Sequence, residues 1–396
     1  MDFKHYSKKL RAAVCVLMCV FALSANAQSG WEMVKELPAT NAFHIAKNGN
    51  LILADFQYDF TGGIYVSTDK GATWTKTAVQ DYNYNAFYET DEYIFAAACS
   101  GRVARSNDGG LTWEVLNYGR VVEDLLGEEL EYSAAYALTM HDGKLFVANF
   151  DGGGVVYSED NGETWVHTDY ESLSYGDVDP KLGRRLVENL YNIVSYEGEL
   201  YTFGVYYVYR YLPETNSWEA IRDDSNFMAV STVCNGTLCL GRSVTNYNMD
   251  EDFIVTLNKD GQWGALPRPE TDDNNIRAMY ADGDDLFVGM AYGGFYHTND
   301  NGATWNSFLS GYPYGTPMQI RTDDNFVYLA VYDTPWSVKG ISGLWRMAKS
   351  ELSGVNNVQL DLNAQSKAIY DLSGRKVNGT RTPGLYIIDG KKVMVK

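Results

Sequence analysis

The segment Ser67-Thr68-Asp69-Lys70-Gly71-Ala72-Thr73-Trp74 decides how this chain folds, because its pattern returns three more times. The pattern is Ser/Thr-x-Asp-x-Gly-x-Thr-Trp, and each copy follows a short apolar run. This arrangement predicts a strand, a tight turn and a returning strand: the Asp accepts backbone N–H bonds, the Gly takes a positive φ, and the Trp begins the new strand. We call the four segments, 67–74, 106–113, 158–165 and 298–305, the Asp–Trp turns. Their predicted structural residues are Asp69, Trp74, Asp108, Trp113, Asp160, Trp165, Asp300 and Trp305.

Seven tryptophans recur at intervals of 39 to 53 residues, the length of a four-stranded blade with variable loops. They are Trp31, Trp74, Trp113, Trp165, Trp218, Trp263 and Trp305. Polar turns between two apolar runs form a second series of seven, which predicts the first hairpin of each blade. These turns lie at 47–50, 90–92, 141–144, 196–199, 234–237, 281–284 and 322–325. The sequence therefore predicts an all-β fold, a seven-bladed β-propeller over 28–350.

The ends of the repeat array predict how the ring closes. The last blade has no fourth strand of its own, whereas a spare strand, Trp31–Lys35, precedes the first repeat. We expect this N-terminal strand to complete the seventh blade and so to remove two exposed sheet edges.

The Asp–Trp turns resemble the Asp-box of the sialidase-type (BNR) repeat family. The resemblance implies a propeller, but it is weak support for sialidase activity, because the box occurs in propellers of unrelated function. Sialidases need three arginines around a carboxylate, and an early Arg-Ile-Pro motif usually supplies the first. This chain has no Arg-Ile-Pro, and no arginine lies between residues 28 and 101.

Both ends of the chain predict export. Residues 1–27 have a basic start, an apolar stretch over 12–23 and Ala25-Asn26-Ala27, the features of a cleaved signal peptide. The tail, 351–396, is predicted as a small β module and resembles the C-terminal sorting domain of the Bacteroidetes type IX secretion system. That resemblance rests on Tyr370-Asp371-Leu372-Ser373-Gly374-Arg375 and Gly384-Leu385-Tyr386-Ile387. We expect an extracellular or cell-surface protein.

Charge and composition exclude several function classes. The net charge of −19 disfavours nucleic acid and anionic membranes as partners. The four histidines beyond the signal peptide are scattered, so we predict no metal, and no motif indicates a cofactor. Cys234 and Cys239 flank one hairpin turn without facing each other, which leaves a disulfide between them open.

The loops opposite the Asp–Trp turns are the predicted ligand surface, because they are long and rich in tyrosine and acidic residues. Aromatic planes beside polar groups suit sugar rings and peptides equally. The candidate ligand-binding residues are Tyr58, Tyr82, Tyr84, Tyr292, Tyr312, Tyr314, Tyr332, Trp336, Asp55, Asp333, Arg277 and Arg321.

The predicted function is non-catalytic binding of a glycan or an extracellular protein. Two alternatives stay open at this stage. One is a glycoside hydrolase, sialidase-like or using a pair of acidic residues in the central funnel. The other is a factor that helps to assemble complexes in the cell envelope.

Overall fold

The structure is a computed structural model that describes most of the chain. The described residues are 30–57, 61–80, 82–99, 101–118, 122–123, 129–130, 134–150, 152–180, 183, 185–223, 230–242, 252–271, 273, 275–291, 294–309, 311–333, 341–354, 369–370, 376–377, 384–388 and 391–395. Three predicted ligand residues, Tyr58, Tyr292 and Trp336, and the predicted signal peptide over 1–27 lie outside the described residues.

Seven antiparallel sheets of four strands each form the main unit of the chain. Blade 1 consists of Thr40–Ile45, Leu51–Asp55, Gly63–Ser67 and Thr75–Gln80. Blade 2 consists of Tyr84–Glu89, Ile94–Ala98, Arg102–Ser106 and Glu114–Asn117. Blade 3 consists of Ala135–His141, Lys144–Asn149, Gly154–Ser158 and Val166–His167. Blades 4 and 5 consist of Asn192–Tyr196, Glu199–Phe203, Val208–Leu212 and Ser217–Arg222; Val230–Cys234, Thr237–Gly241, Ile254–Leu257 and Trp263–Leu266. Blade 6 consists of Ile276–Asp282, Asp285–Met290, Gly294–Thr298 and Asn306–Ser307. Blade 7 consists of Thr316–Thr322, Phe326–Tyr332, Gly343–Ala348 and the N-terminal strand Glu32–Glu36.

The first strands of the blades surround a central channel. Each contacts the first strand of the next blade, and that of blade 7 contacts that of blade 1, so the cycle is closed. Because the strands alternate in direction, the first hairpins and the Asp–Trp turns share one face of the ring, which we call the hairpin face. The connections between second and third strands and between blades lie on the opposite face, the loop face. The predicted seven-bladed β-propeller is confirmed.

The N-terminal strand closes the ring as predicted. Glu32–Glu36 pairs antiparallel with Gly343–Ala348 and becomes the outermost strand of blade 7. Arg346 Nε donates to Glu32 Oε1 at 2.6 Å along this pairing. Three shorter elements complete the main unit: hairpins of Val122–Glu123 with Glu129–Leu130 and of Ser174–Tyr175 with Leu186–Val187, and a 3-10 turn over Tyr170–Leu173. A short helix, Ser350–Gly354, follows blade 7.

One hydrogen-bond network recurs in all four Asp–Trp turns. In the first, Asp69 Oδ1 accepts from the Ser67 hydroxyl and the Thr73 backbone N, both at 2.8 Å, and Asp69 Oδ2 accepts from the Thr73 hydroxyl at 2.6 Å. The other three copies repeat these bonds over 2.5–2.9 Å. The glycine has a positive φ, +90° at Gly71, which only glycine adopts without strain. These bonds to the charged form hold the pKa of Asp69 at about 2.

The recurring tryptophans pack between neighbouring blades. The first of them, Trp31, is 4% exposed and stands edge-on to Phe295 of blade 6, with ring centroids 4.8 Å apart. Trp305 Nε1 of blade 6 donates to the carbonyl of Pro267, just beyond blade 5, at 2.9 Å. Trp218 of blade 4 is 4% exposed, and its Nε1 donates to Thr168 Oγ1, beyond blade 3, at 3.0 Å. Aromatic rings of this size supply much of the apolar burial between sheets.

By its internal contacts the chain divides into residues 1–351 and residues 352–396. In the second unit, Ile369–Tyr370, Lys376–Val377, Gly384–Ile388 and Lys391–Val395 form one antiparallel sheet in which the last two strands pair along their whole length. Within the described part of the chain, no helix is long and apolar enough to cross a membrane.

Candidate functional site on the loop face

A β-bulge recurs where the first strand of a blade starts on the loop face. In five blades one residue of the first strand has no partner on the second strand, and the pairing register shifts around it. Such bulges redirect side chains, and they are frequent beside functional sites. We call the five extra residues the bulge ring: Asn41, Asn85, Tyr136, Arg277 and Met318.

Two asparagines of the bulge ring connect consecutive blades. Asn41 Nδ2 donates to the Tyr84 carbonyl at 2.9 Å and to Asn85 Oδ1 at 2.7 Å. Asn85 Nδ2 in turn donates to the Ala135 carbonyl at 2.7 Å, at the start of blade 3. Both side chains are partly exposed, so this chain of amides fixes the channel mouth and leaves polar edges at its surface.

An aromatic cluster continues the mouth across blades 3 and 4. Tyr136 of the bulge ring stacks on Phe150, with centroids 4.9 Å apart and ring planes at 24°. Tyr191 meets the edge of both rings, at 6.0 Å from Tyr136 and 5.3 Å from Phe150. All three are partly exposed, and contacts of this geometry hold the rings rigid at a cost of little side-chain freedom.

Arg277 gives the mouth an uncompensated positive charge. Its side chain is exposed, and among the described residues it makes no hydrogen bond and no ion pair. Arginines elsewhere in the ring behave differently: Arg105 contacts Glu114 at 2.8 Å and Arg210 contacts Glu219 at 2.7 Å. In a chain of net charge −19, Arg277 is therefore free to bind an external carboxylate or phosphate.

Several predicted ligand residues are accessible but spread over separate blades. Tyr314 is 55% exposed and meets Tyr312 edge-on at 5.5 Å. Tyr82 is partly exposed, with the Arg102 guanidinium 4.7 Å from its ring centre. Tyr332 and Asp333 are partly exposed at the end of the second strand of blade 7. The structure thus brings Tyr312 and Tyr314 together between blades 6 and 7, and it places Tyr82 between blades 1 and 2.

Three of the predicted ligand residues are buried, and their prediction as surface contacts is corrected here. Tyr84 is 0% exposed inside the core between blades 1 and 2, and Tyr312 is 4% exposed beneath Tyr314. Asp55 is 4% exposed, and its carboxylate accepts from the Ala39 backbone N at 3.2 Å and from Gln57 Nε2 at 3.0 Å. Burial accordingly raises the pKa of Asp55. These side chains support the loop face from below, because the loops fold over them.

A second buried acid, Glu188, fastens a loop of blade 4. It is 0% exposed, and its Oε1 accepts from the Tyr206 backbone N at 2.5 Å. Burial raises the pKa of Glu188 to about 7, although hydrogen bonds from the backbone of Tyr206 and Tyr207 and from the Tyr209 side chain act in the opposite direction. A pKa of this kind marks candidate catalytic acids in open clefts. Here the carboxyl is buried and accepts from the Tyr206 backbone N, so it positions the segment that carries Tyr206.

The cysteines and metal-binding groups add no further chemistry to the described surface. Cys234 pairs with Thr237 and Cys239 with Thr232, and both thiols are free and buried. Among the described residues, no group of three or more His, Cys, Asp or Glu side chains is arranged to hold a metal ion.

Of the bulge ring and the aromatic cluster, the sequence predicted Arg277 alone; Asn41, Asn85, Tyr136, Met318, Phe150 and Tyr191 were not among the predicted ligand residues. A local signal for them exists: Asn41, Asn85, Tyr136 and Arg277 each precede an alanine that starts the regular part of the first strand. A large or polar residue before that alanine, repeated at blade intervals, marks the bulge.

Comparison with known proteins supports the fold and no closer relationship. No family model and no curated protein matches the chain. Virginiamycin B lyase from Staphylococcus aureus superposes with a TM-score of 0.58 at 11% identity, over 80% of this chain and 99% of the lyase. YCF48 bound to a D1 peptide gives 0.55 at 13% identity, over 82% and 98%. The extracellular domain of the putative one-component system BT4673 from B. thetaiotaomicron gives 0.55 at 12% identity, over 92% and 45%.

Proposed function

We propose that this chain is an exported, non-catalytic binding protein that holds a segment of an extracellular protein on its loop face. The observation that carries the proposal is the channel mouth, where one ring of strand ends holds the Asn41–Asn85 amide chain, the cluster of Tyr136, Phe150 and Tyr191, and Arg277, which has no partner in the part of the chain that the structure describes. The fold neighbours include a protein bound to a peptide, which is consistent with this use of a propeller face.

The chemistry of the mouth favours a polypeptide ligand. The amide oxygens of Asn41 and Asn85 can accept from the N–H groups of a polypeptide backbone, and rigid tyrosines give contact area at low entropic cost. The free Arg277 guanidinium adds a site for an acidic side chain. A neutral glycan would use the aromatic rings and the amides but would leave that charge unsatisfied.

The acidic residues favour a non-catalytic binding function over the alternative of a glycoside hydrolase. Glycoside hydrolysis needs two carboxyl groups that face the substrate, and one of them needs a raised pKa. Of the described residues, Asp55 and Glu188 are the carboxyl groups with a raised pKa, and both are buried and bonded to the backbone.

Export and sorting by the type IX route belong to the same proposal. They rest on the signal-like residues 1–27 and on the tail motifs of 370–375 and 384–387. Fractionation of cells that express the full chain, compared with a chain ending at Gly354, tests this part: the full chain is expected outside the cell and the truncated chain in the periplasm.

Binding to arrays of random peptides and of glycans tests the ligand class. We expect the wild type to select peptides with acidic residues, the Arg277→Ala and Tyr136→Ala variants to lose at least tenfold in affinity, and Arg210→Ala to bind as the wild type does. If the wild type selects glycans alone, the ligand is a sugar and the proposed protein ligand is wrong. If peptide binding is unchanged in both Arg277→Ala and Tyr136→Ala, the binding site does not lie at the channel mouth.

A further inference from the structure

Arg321 lies inside the channel, at a different level from the bulge ring. It belongs to the first strand of blade 7, one residue before the end of the strand at the hairpin face. Its guanidinium lies 5.2 Å from the ring centre of Tyr280 on the first strand of blade 6. Burial lowers the pKa of His44 on the first strand of blade 1, and the charge of Arg321 adds to this effect. The guanidinium therefore lies beside the inner strand of blade 6, with His44 of blade 1 within range of its charge.

Most donors of Arg321 are unused among the described residues. A guanidinium has five N–H donors, and here Nη1 donates to the Ile320 carbonyl at 2.7 Å as its one hydrogen bond. The side chain forms no ion pair with a described carboxylate, although it is only partly exposed. Burial lowers the pKa of Arg321, the direction expected for a cation without an adjacent anion.

Two acidic side chains at the same end of the inner strands, on blades 2 and 6, are already bonded to other partners. Glu89 accepts from His44 Nε2 at 2.9 Å and from the Lys47 backbone N at 3.0 and 3.1 Å. Asp282 Oδ2 accepts from the Thr322 hydroxyl at 2.8 Å and from Lys349 Nζ at 2.6 Å. Neither carboxylate forms an ion pair with Arg321, so the charge of this guanidinium has no anionic partner among the described residues.

We propose that Arg321, with Tyr280 behind its guanidinium, is a carboxylate-binding subsite within the central channel. A planar carboxylate can accept two parallel N–H bonds from the guanidinium fork, and the Tyr280 ring keeps the fork in place. Arg321 is itself partly exposed, so solvent reaches this part of the channel wall. The ligand is a small free carboxylic acid or the carboxylate of a polypeptide.

The subsite is independent of the loop-face proposal. It uses no residue of the bulge ring, and it would be retained if the mouth bound a glycan or nothing at all. Its ligand group is set by charge and planar geometry alone.

Titration of protein labelled with ¹⁵N-arginine, followed by NMR of the Nε–Hε signals, tests the subsite. With acetate as the probe, we expect the Arg321 signal, assigned by its loss in Arg321→Gln, to move in a saturable manner. Sodium chloride at equal ionic strength is expected to leave it unmoved. Arg321→Lys, which keeps the charge but loses the fork, is expected to bind acetate at least tenfold more weakly, as judged by the His44 ring signals. Arg210→Gln is the matched control and is expected to bind acetate normally.

Two further arms identify the source of the carboxylate. A short peptide with a free C-terminus and its C-terminally amidated form are titrated in the same way. Binding of acetate and of the free-terminus peptide supports a general carboxylate subsite, whereas binding of the peptide alone supports a polypeptide terminus. An Arg321 signal that ignores acetate and both peptides, or that moves equally with chloride, overturns the proposal. The binding readout uses the wild type, and Arg321→Lys, which removes the same arginine signal, supplies the assignment where Arg321→Gln fails to fold.

Discussion

The indole Nε1 of Trp31 donates to the carbonyl of Phe308 at 3.1 Å and joins residues 277 positions apart. Trp31 directly precedes the strand that completes blade 7, whereas Phe308 follows the outermost strand of blade 6. The N-terminal strand is thus held on two sides, by strand pairing within blade 7 and by this indole against blade 6. Closure of the ring depends on both contacts.

Truncation of Trp31 is expected to weaken the whole ring. Trp31→Ala removes a ring that is 4% exposed together with its hydrogen bond, which should cost about 3–5 kcal/mol of unfolding free energy. Deletion of 30–37 should have a larger effect, because it also uncovers an edge of blade 7. Urea unfolding followed by circular dichroism measures both. The exposed Leu111 serves as the control, and a Trp31→Ala midpoint equal to that of Leu111→Ala would contradict a closing role.

Removal of one Asp–Trp turn carboxylate is expected to lower the unfolding midpoint, and the loss should depend on pH. Asp69 accepts three bonds in its charged form, and these hold its pKa at about 2 against an ordinary value of 3.8. Its stabilising effect is therefore complete above about pH 4 and is lost as the pH falls through 2. Thermal unfolding of Asp69→Ala should show a deficit at pH 6 that disappears near pH 2. Asp324→Ala, on an exposed turn, should show no deficit at either pH.

Glu188 is expected to make the protein less stable as the medium becomes neutral. The pKa of this carboxyl is raised from 4.5 in the unfolded chain to about 7 in the fold. Below pH 4.5 both states are protonated; between 4.5 and 7 the unfolded chain releases a proton that the folded chain keeps. Stability should thus fall across this window by about 3 kcal/mol and stay level above it.

The Glu188→Gln variant isolates that effect. It keeps the shape of the side chain without the charge, so its unfolding free energy should lose this slope between pH 4.5 and 7, as measured in urea at several pH values. Glu214→Gln, on an exposed turn, should keep the wild-type slope. An unchanged slope in Glu188→Gln would mean that another group titrates in this range.

Thiol reactivity should separate the three cysteines beyond the signal peptide. Cys234 and Cys239 are 4% and 1% exposed, and burial raises the pKa of Cys239 to about 12, so its reactive thiolate is scarce at neutral pH. Cys99 is partly exposed. With Ellman's reagent, a chain lacking residues 1–27 should show one reactive thiol when native and three in urea. Cys99→Ser should abolish the native reaction, and a total of one thiol in urea would instead reveal a Cys234–Cys239 disulfide.

The turns and strands were predictable because their information is local. Asp69, Gly71 and Thr73 form their network within seven residues, so the sequence pattern alone identifies the turn. The role of the N-terminal strand was also predictable, because a missing fourth strand at one end and a spare strand at the other leave one solution.

Side-chain exposure on the loop face was not predictable in the same way. Tyr84 and Tyr314 occupy similar tyrosine-rich stretches of sequence, yet the first is 0% and the second 55% exposed. Tyr84 begins the first strand of blade 2 and packs in the core between blades 1 and 2, whereas Tyr314 lies in the loop before blade 7. Which tyrosine of such a stretch enters a strand is settled by its pairing with the second strand of the blade.

The sequence by itself determined the number of blades and the strand that closes the ring, because indole spacing and turn chemistry act over short stretches of chain. Only the tertiary structure decided which arginines meet a carboxylate among the described residues. Arg277 and Arg321 look alike in sequence to Arg105, which is paired with Glu114 on the adjacent strand of its own blade and with Glu163 at the edge of the next blade. Whether an arginine is paired therefore depends on which side chains strand pairing and blade packing place beside it, and residue type alone does not encode that placement.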